Sequence, residues 1–157
     1  MPTASNPTLK LWYSPGACSF AAQVALLEAG LQPELISVQI GSVTEEFAHM
    51  NPKRRVPVLA VGDQVITEMP AILTSISALS PDRKLMGQNT IEALRAYEWL
   101  NYLSGTLHGQ GYGGLWRPER FVNDTSMYLA VQERARQTIK DCYAFIDSKL
   151  RKANTSY

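Results

Sequence analysis

Apolar and polar positions first alternate at Leu9, Leu11 and Tyr13, with Lys10 and Trp12 between them, a period of two that predicts a strand. Ser14, Pro15 and Gly16 break it. From Ala17 to Ala29 helix formers follow, with Phe20, Val24 and Leu27 on a helical period, and Gly30 sits where a left-handed cap belongs. Leu35, Ile36, Val38 and Ile40 predict a second strand, so the opening unit is a parallel, right-handed strand–helix–strand crossover. A polar helical turn over Thr44–Met50 leads through the loop Asn51–Arg55 to a strand at Pro57–Val61. Gly62 and Asp63 turn the chain into a hairpin partner at Val65–Thr67, and Glu68 precedes a helix ending near Leu79. The order is βαβ, then αββα: one mixed sheet with helices on both faces.

Ser80 to Thr90, with Pro81, Asp82, Gly87 and Asn89, reads as a linker. Beyond it the pattern is helical. One helix is predicted over Ile91–Leu107, carrying Leu94, Tyr97, Leu100, Tyr102 and Leu103. The Gly-rich stretch 109–114 is expected to interrupt it. A second long helix is predicted from about Asp124 to Lys152, with Leu129, Ala135, Ile139, Cys142, Ile146 and Leu150. The pair predicts an antiparallel hairpin. Two helices alone do not bury both of their apolar faces, so the expected layout is residues 8–80, a linker at 81–90, and a partial all-α domain over 91–157.

Composition narrows the function classes. The 157 residues are 45% hydrophobic and 18% charged, enough for a buried core and against global disorder. A net charge of +1 gives no electrostatic case for nucleic acid or an anionic membrane. No run approaches a transmembrane length, and MPTASNPT lacks the regions of a signal peptide. The expectation is a cytoplasmic protein without nucleic-acid or membrane partners. The two cysteines, Cys18 and Cys142, lie far apart and read as free thiols. No metal is expected.

Cys18 follows a turn and opens a helix, where free backbone N–H groups favour an anion and lower a thiol pKa. The position leaves two readings open: a reactive thiolate, or a small side chain filling a strand–helix junction. Position 21 is alanine, which excludes a Cys-x-x-Cys dithiol; a lone thiolate still forms mixed disulfides. Cys142 lies among Ile139, Phe145 and Ile146 and reads as core. Val56-Pro57 precedes a strand, and a cis bond there would turn the Val56 backbone toward a peptide-like thiol; a trans turn is the alternative. Glu68 suits a helix start, or the α-amino group of a ligand, and N–H groups at Met69 and beyond suit a carboxylate. Arg54 and Arg55 are solvated or neutralise a second carboxylate. Asn101 and His108 are seven residues apart, two turns of one α-helical face; a lone histidine there reads first as a surface residue.

Five blocks together resemble the beta-class glutathione transferases: SPGACSFA at 14–21, NPKRRVPVL at 51–59, TEMPAIL at 67–73, YEWLNYLSGTLH at 97–108 and LWRP at 115–118. Their order and spacing match that family from Leu9 to about Leu150. The resemblance implies a thioredoxin-like glutathione-binding domain followed by an incomplete all-α glutathione transferase domain. It implies Cys18 beside, or disulfide-bonded to, the glutathione sulfur, and the Val56 backbone, before cis-Pro57, pairing with the cysteinyl part. Glu68 and Met69 correspond to the γ-glutamyl site, Arg55 to a further glutathione contact, and Asn101 and His108 to helical-domain residues near the thiol. Tyr13 and Ser19 are the hydroxyls nearest Cys18 in sequence and are expected to donate to a glutathione thiolate.

Four departures stand out. Met69 replaces a common serine, Arg54 and Arg55 replace glycine and glutamine, and Gly109 replaces lysine. The family's further helices, with a Ser/Thr-x-x-Asp capping motif, do not follow. The resemblance implies a homodimeric detoxification enzyme that uses glutathione on a small apolar electrophile or mixed disulfide. A glutathione-dependent isomerase or dehalogenase of the same fold, and a non-catalytic binding module, are the alternatives.

Overall fold

The computed structural model describes residues 7–153. Its order is β1 (Leu9–Tyr13), α1 (Ser19–Glu28), β2 (Glu34–Ser37), α2 (Glu45–Met50), β3 (Val58–Val61), β4 (Gln64–Thr67) and α3 (Met69–Leu79). The βαβ–αββα arrangement is as the sequence implies. The sheet order is β2-β1-β3-β4, with β1 parallel to β2 and antiparallel to β3, and β3 antiparallel to β4.

Alternation sends the sheet's side chains to two cores. Leu11 and Leu59 meet Ala22, Leu26 and Ala29 of α1 and Ile72 and Ile76 of α3. Val58 goes the other way, with Val38, Phe47 of α2 and Trp12. Leu11, Leu59, Ile72 and Ile76 are wholly buried, each contributing about 1.5–3 kcal/mol of transfer free energy.

The expected apolar face of α1 is corrected. Phe20, Val24 and Leu27 are exposed, while Ser19, Ala22 and Leu26 are buried. Two stripes share the helical period, and the small side chains of the second let the helix lie close on the sheet.

A three-ten turn at Pro81–Arg83 precedes α4 (Thr90–Asn101). Asn89 and Glu92 cap its start: Asn89 Oδ1 accepts from the Glu92 N–H, and Glu92 Oε2 accepts from the Gln88 N–H. The chain divides into two compact units, Met1–Tyr97 and Glu98–Tyr157.

In the second unit the expected glycine interruption does not occur. The helix widens to π geometry over Tyr102–Tyr112 and continues into α5 (Gly113–Trp116). α6 (Tyr128–Ala153) packs antiparallel to it. Trp99 and Tyr102 meet Phe145, Gly111 faces Ile139, and Gly114 faces Ala135. A Cβ on Gly111 would stand 2.8 Å from Ile139 Cγ1, and one on Gly114 3.0 Å from the Ala135 Cβ. These glycines permit helix contact; they do not break the helix. Cys142 is buried in this unit, as expected of a packing residue.

Candidate functional site

The site is built around the turn between β1 and α1. Gly16 takes a φ of +72°, which a Cβ would strain, and lets the chain reverse within one turn. The Ala17 N–H donates to the Ser14 carbonyl at 3.2 Å. Ser19 closes the turn from inside. Its hydroxyl donates to the Ser14 carbonyl and accepts from the Ser14 N–H, both at 3.1 Å, and the residue has no solvent exposure. Ser19 therefore staples the turn, and its proton is engaged there, away from the thiolate contact expected of it. Tyr13 ends β1 half-buried, and its carbonyl accepts from the Val38 N–H at 2.8 Å.

Cys18 caps α1, half-buried. Its thiol donates to the Val56 carbonyl at 3.7 Å. The Val56-Pro57 bond is cis, and Pro57 is buried at the start of β3. The pKa expectation needs correction. Burial pushes the Cys18 thiol up, while the backbone N–H groups of Cys18 and Ser19 pull it down by less. Desolvation of a thiolate outweighs the helix start here.

The loop before Pro57 hangs on Asn51, which is 2% exposed. Asn51 Nδ2 donates to the Arg55 carbonyl at 2.8 Å, and its Oδ1 accepts from the Lys53 N–H at 3.3 Å. Arg54 takes a φ of +53° between them. The Arg54 and Arg55 side chains are exposed.

Glu68 joins β4 to α3 with a φ of +71° and a ψ of 125°, a strained conformation for a residue with a side chain. Its carboxylate accepts from Lys53 Nζ at 2.6 Å, and the same ammonium donates to Thr67 Oγ1 at 2.6 Å. Met69 packs against the core around Leu11 and Leu59. The sequence marked Lys53 only as part of the block NPKRRVPVL at 51–59 and gave Asn51 no role beyond opening that loop. The signal for Asn51 was its place after α2 and before Pro52; nothing local marked Lys53 as the partner of Glu68.

In the second unit, Asn101 ends α4 and His108 lies within the π segment. The wider winding turns each residue through a smaller angle, so seven residues no longer complete two turns and the shared α-helical face is lost. His108 keeps an open surface while its ring is partly desolvated. That desolvation, then the Arg120 guanidinium, lowers its pKa below the ordinary imidazole value.

A mixed sheet with a cysteine on its first strand–helix turn, facing the residue before a cis-proline, is the thioredoxin-like arrangement. Residues 7–77 match the family model "Glutathione S-transferase, N-terminal domain". Glutathione S-transferase GstA of Escherichia coli O157:H7 is 37% identical over 117 residues, covering 71% of this chain and 58% of GstA. A glutathione transferase from Methylococcus capsulatus superposes with a TM-score of 0.79 at 34% identity, covering 92% of this chain and 70% of that one. A glutathione transferase homolog from Sulfitobacter, solved with bound glutathione, gives 0.84 at 26% identity, covering 91% and 70%. This chain belongs to the glutathione S-transferase family. It spans little more than half the length of GstA.

Proposed function

We propose that this chain is a beta-class glutathione transferase, binding glutathione along the edge formed by Cys18, Val56 and Glu68. The observation that carries the reading is the Cys18 thiol held on the Val56 carbonyl beside a cis-proline. Glutathione would lie with its cysteinyl backbone against Val56 and its γ-glutamyl end at Glu68 and the Met69 N–H. The Met69 side chain, turned into the core, leaves only its backbone for that contact. Arg55 would meet a ligand carboxylate. Asn101, His108 and Tyr13 remain proposed contacts to the thiol and second substrate, and the working form would be a cytoplasmic homodimer with the domain layout 8–80 and 91–157. No metal takes part.

A raised thiol pKa suits Cys18 to donate a hydrogen bond at neutral pH. Glutathione would lose its thiol proton to solvent. The Cys18 S–H would turn from Val56 to the glutathione sulfur and stabilise the thiolate, which then attacks a small apolar electrophile and expels its leaving group. A second reading is thiol transfer, favoured by Cys18 being a free, only partly buried cysteine. There the Cys18 thiolate attacks a glutathione mixed disulfide and releases the substrate thiolate. A second glutathione thiolate then frees Cys18 as oxidised glutathione leaves.

Calorimetry with glutathione on this chain and on Cys18→Ala, alongside mass spectrometry of the thiol, tests both. Micromolar to millimolar binding with turnover of a chlorinated dinitrobenzene supports conjugation. A glutathione adduct on Cys18 with disulfide turnover supports thiol transfer. Unchanged glutathione after turnover would point to an isomerase, and a folded chain with no binding to a non-catalytic module.

A further inference from the structure

We propose that Tyr112 and Tyr143 form an oxidative modification site, at which a one-electron oxidant couples the two phenols into an intramolecular dityrosine. This goes beyond the glutathione reading and does not depend on it.

The two hydroxyls are hydrogen-bonded at 3.0 Å across 31 residues of sequence, from the last position of the π segment to α6. Packing holds both rings there. Trp116 lies against Tyr112 with ring centroids 4.7 Å apart and planes tilted by 32°. Gly111, next to Tyr112, meets Ile139, one turn before Tyr143, so the two helices approach closely at this level. Tyr143 is 50% exposed and Tyr112 half-buried, which leaves the pair within reach of a small oxidant. The arrangement suits coupling for a geometric reason. In dityrosine the new bond joins the ring carbons beside the two oxygens, so the product carries its hydroxyls side by side, as this pair already does. Two groups held together in this way combine in a unimolecular step, which outruns encounter between separate chains.

The step consumes two equivalents of oxidant. Each phenol gives one electron to the oxidant and its hydroxyl proton to water. The two phenoxyl radicals combine through one C–C bond between ortho carbons, and the hydrogen on each of those carbons moves to its own oxygen. Both phenols are restored, and the chain has lost two hydrogens in all. The bond would fasten the π segment, which carries His108, to α6.

The test is oxidation of the full chain at micromolar concentration by a photoexcited ruthenium trisbipyridyl complex, with persulfate as the electron acceptor. Denaturing electrophoresis, intact mass and tryptic mapping follow. The expected product runs as a single chain, shows dityrosine fluorescence and is lighter by two hydrogens. It should link tryptic peptide 96–120 to peptide 141–149, with fragmentation placing the bond at Tyr112 and Tyr143. Tyr112→Phe and Tyr143→Phe should each abolish that linked peptide. Tyr97→Phe, which removes another tyrosine of the same peptide, should leave it in place. Phenylalanine keeps the ring and its packing, so each variant should stay folded, as circular dichroism would verify. Dityrosine formed only between chains, a link that survives Tyr112→Phe or Tyr143→Phe, or consumption of tyrosine without dityrosine overturns the proposal.

Discussion

The Cys18 thiol donates to the Val56 carbonyl at 3.7 Å across 38 residues of sequence, joining the first strand–helix turn to the cis-proline loop. Burial raises the pKa of that thiol. The fold therefore prefers the neutral form. Its contribution to stability is full below the unfolded thiol value of about 8.5 and is lost as pH rises through the folded value. Alkylation of Cys18 by iodoacetamide at pH 7 should run slower than that of free cysteine and climb at alkaline pH. A Cys18 that alkylates faster than free cysteine at pH 7 would contradict the burial argument.

His108 titrates in the opposite sense. Its pKa is held down by desolvation first and Arg120 second. The neutral ring is favoured in the fold, so its contribution is present above about pH 6.5 and is lost as pH falls through the lower folded value. Proton NMR should place the His108 midpoint below that of a model imidazole, and Arg120→Met should raise it. An unchanged midpoint in that variant would remove the guanidinium from the account.

Ser19→Ala removes a buried hydroxyl that both donates to and accepts from Ser14. The Ser14 N–H is left without that partner, and the loss should be about 1–3 kcal/mol by urea denaturation. If Ser19 were instead a thiolate donor, the variant would keep its stability and lose turnover.

Two glycines of one helix should respond oppositely to alanine. Nothing lies within 4 Å of a Cβ built on Gly105, so Gly105→Ala should gain up to about 1 kcal/mol of helix propensity. A Cβ on Gly111 meets Ile139 Cγ1 at 2.8 Å, so Gly111→Ala should lose about 1 kcal/mol or more through overpacking. Pairing Gly111→Ala with Ile139→Ala should recover part of that loss; equal effects at both glycines would mean α6 does not approach there.

The sequence by itself determined the element order, because periods of two and 3.6 separate strands from helices, and turn residues such as Gly16 and Gly62 mark where each ends. It also marked Cys18, Val56 and Glu68, whose local surroundings are spelled out within a few residues. Only the tertiary structure decided which apolar stripe of α1 goes inward, since Phe20 and Leu26 sit on equally regular stripes and close contact with the sheet selects the smaller side chains. It also turned Gly111 and Gly114 from expected breakers into helix contacts, because their partners Ile139 and Ala135 lie more than twenty residues away. The sign of the Cys18 pKa and the pairing of Lys53 with Glu68 were settled the same way. Burial and long-range pairing depend on which surfaces meet, and no local window of residues contains that information.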